Sequence, residues 1–136
     1  MKNKLTIVLV WIAAALAAGC QTPSTPATQV RLLEPADGAT VSTKFRVRFA
    51  VSGFEVRPAG EIVAGTGHHH LLIDTDAIPA GESIPFTPKH MHFGKGQTEA
   101  DVELPPGSYR LTAQFANGAH QSYGPPLSST IRVTVK

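Results

Sequence analysis

Histidine is the residue type in this sequence whose spacing most directly suggests chemistry. The chain has six histidines among 136 residues, and all of them lie in three short segments. Imidazole is the commonest side-chain ligand for metals such as copper and zinc at neutral pH, so this clustering predicts a copper or zinc site. The three segments are His68-His69-His70, His90-Met91-His92 and His120.

The spacing of the histidines predicts the strand face on which each one lies. Side chains alternate along a strand, so His68 and His70 share one face, while His69 shares the other with the apolar Leu71. The segment His90-Met91-His92 alternates in the same way. If the two strands are neighbours, four imidazoles converge outside the core: His68, His70, His90 and His92.

Other residues are candidates for supporting roles at this site. His120 follows an Asn-Gly turn and can join the ligands from a loop. A ligating histidine usually needs an acceptor for its second ring nitrogen, and Asp74 is the nearest candidate, with Glu99 a weaker one. Met91 is a soft ligand suited to Cu(I), but its strand phase with Phe93 places it in the core.

Two other classes of function remain open. A hydrogen-bonded histidine array can order loops or bind a polar ligand without metal, which would make this a structural or interaction protein of the cell envelope. A copper-dependent redox enzyme is a minor alternative, because the stretch around His90 is similar to the His-x-His strand of copper-zinc superoxide dismutases. The chain lacks their paired cysteines, and it has neither an H-E-x-x-H helix nor a G-x-S-x-G elbow. A binding, buffering or delivery module is therefore favoured over an enzyme.

The elements that must position these histidines are predicted to be strands. Phe45, Val47 and Phe49 alternate with Arg46 and Arg48, which is typical of a strand with one buried face. Gly and Pro clusters separate the apolar runs, and no convincing helix follows the N-terminal segment. The sequence predicts an immunoglobulin-like antiparallel β-sandwich of about six to seven strands. The other alternating runs span residues 98–104, 108–115 and 131–135.

The first residues are predicted to be an export signal. Lys2 and Lys4 precede a short apolar run, which ends in small residues just before Cys20, the only cysteine. We expect a lipoprotein signal peptide over residues 1–19, a lipidated Cys20 opening a Pro/Thr-rich tether over residues 20–29, and the folded domain over residues 30–136. A plain secretory signal is the alternative. The lipid would anchor the protein in a membrane, and Gln21 suggests the periplasmic face of the outer membrane in a Gram-negative host.

Charge gives no support for binding nucleic acid. After Cys20 the chain has ten basic and ten acidic residues. The expected partners are a membrane, a metal ion and an envelope protein.

Two long motifs resemble a known family of exported bacterial proteins. The segments Gly65–Asp74 and His90–Glu99, together with Leu104–Gly107, are similar to the signature of the domain of unknown function 4399. The resemblance covers roughly residues 30–136 and implies no established activity. Many relatives carry a second histidine where Tyr123 stands here, so the resemblance gives this loop one ligand and not two.

Overall fold

The computed structural model describes residues 29–136, which form nine strands and one short 3-10 helix (Pro125–Leu127). The expected signal peptide, Cys20 and the tether before Gln29 lie outside the described residues. No helix within residues 29–136 is long and apolar enough to cross a membrane. The strands are β1 (Gln29–Glu34), β2 (Ala39–Val41), β3 (Lys44–Ser52), β4 (Glu55–Val56), β5 (Thr66–Ile73), β6 (His90–His92), β7 (Glu99–Glu103), β8 (Gly107–Ala116) and β9 (Ser128–Val135).

The strands form two sheets that pack against each other. The small sheet has the order β1-β3-β7, and the large sheet has the order β2-β9-β8-β5-β4, with β6 also paired to β5. The alternating apolar residues of β3 are buried, as its sequence predicts. They pack with Leu111, Ala113 and Phe115 of β8 in one core. The predicted all-β sandwich is confirmed.

The pairing of the strands differs from the prediction in two details. Most pairs are antiparallel, but β2 pairs with β9 and β4 with β5 in parallel. The described residues hold six strands of five residues or more, which matches the predicted number. The additional strands β2, β4 and β6 have only two or three residues each, too few to produce a visible alternation in the sequence.

Strand β5 is an interior strand of the large sheet and carries the triple histidine. It pairs with β8 along its length, and on its other side with β4 and then β6. One face of β5 points to the core between the sheets. The other face is covered, because Ile78 and Ile84 of the β5–β6 connection pack on Leu72 and Ala116. All eight residues of β5 are therefore buried.

Candidate metal centre

Four histidines from three parts of the chain converge on the outer face of the large sheet. Each offers one ring nitrogen, and these nitrogens all lie within 4.8 Å of one another. His68 and His70 are 0% and 1% exposed, whereas the other two histidines are partly exposed. The structure brings together four of the five predicted ligands. They are His68, His70, His92 and His120.

Strand register explains why His92 joins the first pair. In the antiparallel pair β5–β6, His70 lies directly opposite His92, and Leu72 lies opposite His90. Directly opposed residues have Cβ atoms only ~4.5–5.5 Å apart, so the rings of His70 and His92 meet, with centroids 5.1 Å apart.

His90 is not brought into the group. Its Nδ1 lies 2.7 Å from the hydroxyl of Thr87, and its backbone N–H donates to the Thr87 carbonyl. His90 therefore closes a tight turn before β6. It is two residues from His92, a step of about 6.5–7 Å along a strand.

A short loop supplies His120. The side-chain oxygen of Asn117 accepts hydrogen bonds from the backbone N–H groups of Ala119 and Gln121, which fixes the loop. His120 has a φ of 64°, in the left-handed region that few residues other than glycine adopt. Its carbonyl accepts a hydrogen bond from Ile84 in the covering segment.

The contacts of the His68 Nε2 atom indicate that three ring nitrogens point to a common position. This atom lies 3.0 Å from Nε2 of His70 and 3.1 Å from Nδ1 of His120. A neutral ring nitrogen has either one proton or one lone pair, so a single nitrogen cannot form two full hydrogen bonds. Three nitrogens at such separations are an arrangement that one cation can bridge.

Gly94 leaves the space that the His92 ring occupies. A Cβ atom at this position would overlap the ring carbons and nitrogens of His92. The glycine after Phe93, part of the motif noted in the sequence, therefore has a direct steric role at the cluster. The turn that follows joins β6 to β7.

Burial keeps His68 and His70 uncharged at neutral pH. It lowers the pKa of His68 to about 4 and that of His70 to about 2, and repulsion from neighbouring histidines adds to both shifts. The pKa of His92 is also lowered, mainly by burial and then by His120. Neutral imidazole is the form that binds metal, so these rings need no deprotonation near pH 7.

The predicted supporting carboxylates have other partners. Asp74 accepts a hydrogen bond from the backbone N–H of Arg110. Glu99 lies on the small sheet and forms ion pairs with Arg46 and Arg48. The Nδ1 atoms of His68 and His70 are buried without a hydrogen-bond partner. Packing against neighbouring rings therefore fixes the orientation of these two imidazoles.

His69 and Met91 lie on the core side, as their strand phase predicts. The His69 ring stacks on Phe49 at a centroid distance of 4.9 Å and meets Phe115 edge-on. Met91 packs against the main core. Neither ring nitrogen of His69 has a hydrogen-bond partner, and burial lowers the pKa of this residue to about 4.

The replacement His69→Leu should raise the free energy of unfolding by about 1–2 kcal/mol, because it removes buried polar atoms that lack partners. Urea unfolding at pH 8 with a chelator present would measure the change. His69→Ala is the matched comparison, and it should destabilise by about 2–3 kcal/mol through the cavity it leaves. Equal destabilisation by both variants would contradict this interpretation.

Comparison with known proteins assigns the family. By its fold and its site, the protein is an all-β sandwich with a histidine cluster on one sheet. Residues 47–136 match the family described as domain of unknown function (DUF4399). The chain belongs to this family. No curated protein sequence matches it. Among solved structures, it is similar to part of the endo-beta-1,4-mannanase from Thermotoga petrophila, with 14% identity and a TM-score of 0.44. That match covers 80% of this chain and 20% of the mannanase chain.

Proposed function

We propose that this protein is an exported lipoprotein whose four-histidine cluster binds one copper or zinc ion. The protein would serve to bind, buffer or deliver that ion. The observation that carries the proposal is the convergence of four ring nitrogens within 4.8 Å. Clustering of this kind places four imidazole donors around one point without any acidic residue in the group.

The donor set supports copper and zinc above harder metals. Four imidazoles suit zinc and copper, whereas magnesium and calcium prefer oxygen ligands. Zn–N bonds of ~2.0–2.1 Å require nitrogens ~3.3–3.4 Å apart in a tetrahedron, or ~2.8–3.0 Å between neighbours in a square plane. The nitrogen–nitrogen separations of 3.0 and 3.1 Å in the structure lie from the upper end of the square-planar range to just below the tetrahedral one.

Metal titration of the untagged protein tests the proposal. We would use residues 21–136, which include every described residue, and omit any polyhistidine tag because it would bind metal itself. Calorimetric titration with Zn²⁺ and Cu²⁺ should give one equivalent bound, and the visible absorption of Cu²⁺ would report nitrogen ligation. Absence of one-equivalent binding of either ion would refute the metal proposal.

A histidine array without metal is the second candidate function. The unpartnered Nδ1 atoms of His68 and His70 favour it, since ligating histidines usually donate that proton to an acceptor. In that case the four rings would stabilise the packing of the His120 loop, and the protein would act through an envelope partner. The same titration separates the two functions.

The lipoprotein part of the proposal is supported by the sequence before the sandwich. A short apolar run ends in Ala17-Ala18-Gly19 and is followed directly by Cys20. An exported protein with one cysteine has no disulfide partner for it within the chain. Lipidation would account for this single thiol and would anchor the sandwich to a membrane.

Cys20→Ser should release the protein from the membrane fraction or leave it as an unprocessed precursor. The hydroxyl of serine is not the thiol that the lipid modification requires. Fractionation of expressing cells and the intact mass of the purified protein would check this. Cleavage and membrane association equal to those of the unsubstituted protein would contradict lipidation.

A further inference from the structure

An exposed aromatic ring lies against the histidine cluster. Phe86 is 66% exposed, the highest value among the large apolar residues of the described chain. Its ring centroid is 5.3 Å from that of His92 and 5.1 Å from that of His120, with both contacts edge-to-face. Exposure of a phenylalanine costs free energy, so a role at the two candidate ligands that it contacts would explain its position.

Phe86 lies on the side of the cluster from which an ion has to approach. His68 and His70 are fully buried in β5 and closed off from solvent. His92 and His120 are partly exposed, so the cluster meets solvent along these two rings. Phe86 contacts both of them and no other aromatic ring among the described residues.

The backbone on either side of Phe86 is fixed. Ile84 is 1% exposed and donates its backbone N–H to the carbonyl of His120 at 2.9 Å. On the other side, Thr87 forms the turn with His90. These contacts hold the Phe86 backbone beside the cluster, while its side chain is largely exposed to solvent.

We propose that Phe86 is a gate for the metal site, whose ring turns away from His92 and His120 to let an ion pass. The inference rests on the proposed metal-binding function and adds how exchange is controlled. Because Phe86 has no metal-ligating atom, its removal should change the rates of uptake and release together and leave the equilibrium affinity nearly unchanged.

Exchange kinetics of Phe86→Ala test the gate. Stopped-flow mixing of the loaded protein with excess chelator measures release of Zn²⁺ or Cu²⁺, whichever ion binds in titration. Equilibrium competition measures Kd, and the two values together give the association rate constant. Loss of the ring contacts should raise both rate constants roughly three- to tenfold and keep Kd within about twofold.

Leu33→Ala is the matched control. Leu33 is also an exposed apolar residue, 49% accessible, but lies in β1 of the small sheet. Phe86→Trp, which retains an aromatic ring, should keep slow exchange.

Unchanged rates in Phe86→Ala would overturn the gate. Faster release with a proportionally weaker Kd would also overturn it, because Phe86 would then be a residue that positions the histidines. If the unsubstituted protein binds neither ion, the proposed function itself fails.

Discussion

Replacing His92 with alanine should weaken the affinity for Cu²⁺ or Zn²⁺ by more than about 100-fold, beyond the usual effect of losing a supporting residue. His92 lies opposite His70 in the sheet and contributes one of the four clustered nitrogens. Its loss leaves three imidazoles, one of them on a loop. Calorimetric titration of the variant beside the unsubstituted protein would measure the difference.

His90→Ala provides the matched control for this experiment. It removes the same type of side chain from the same short strand, but His90 is hydrogen-bonded to Thr87 and lies outside the cluster. The equilibrium affinity should therefore stay within about twofold of the original, as for a substitution that removes no ligand. An equal loss of affinity in both variants would contradict the four-histidine centre, and so would an unchanged affinity in His92→Ala.

The contrast between His90 and His92 marks what strand alternation can predict. Alternation correctly places His68 and His70 on one face of β5 and His69 on the other, because the side-chain period of a strand is two. It also gives His90 and His92 the same face. It does not fix the register between two strands, which depends on turn geometry and packing. The observed register opposes His70 to His92 and places Leu72 opposite His90.

Strand alternation also does not predict that His68 and His70 are buried. Strand phase predicts His68 and His70 on the face away from the core, and this is where they lie. That face is nevertheless buried, because the β5–β6 connection folds back over it and anchors Ile84 on Leu72. This connection has proline and glycine breaks and no alternating run, so its path depends on tertiary contacts such as the hydrogen bond from Ile84 to His120.

The position of Asp74 was also not predictable from strand alternation, for a different reason. Asp74 was expected near the cluster because it follows His70 on the same face of the strand. The strand ends at Ile73, and Asp74 adopts a φ of 54°, which turns the chain away. Its carboxylate then binds the backbone of Arg110. Alternation holds only within the strand, and the sequence gives the end of a strand less precisely than its centre.

The metal-free protein should lose about 3–5 kcal/mol of unfolding free energy between pH 6.5 and pH 5, by the linkage between proton uptake and stability. The pKa of His68 and of His69 is lowered to about 4, and that of His70 to about 2, in each case first by burial. In the unfolded chain each histidine has a pKa of about 6.5.

The sign follows from where the protons bind. Well above pH 6.5, near pH 8, these histidines are neutral in both states, and stability does not change with pH through them. Below pH 6.5 the unfolded chain binds protons that the folded protein does not bind, so the free energy of unfolding falls as pH falls. For His68 and His69 the loss ends near pH 4, where the folded protein also protonates, whereas for His70 it continues to about pH 2.

Urea unfolding at pH 5, 6, 7 and 8 with a chelator present would measure this dependence. Each histidine is already half-protonated in the unfolded chain at pH 6.5, so each would contribute about 1.6 kcal/mol down to pH 5. Three of them give the upper end of the range, and solvent screening reduces it. His69→Leu removes one of the three protons without touching the cluster, so its slope below pH 6.5 should be smaller by about one third. Stability that is constant from pH 8 to pH 5 would mean that these imidazoles are accessible to protons in the folded protein. The burial of His68, His69 and His70 in uncharged form would then be refuted.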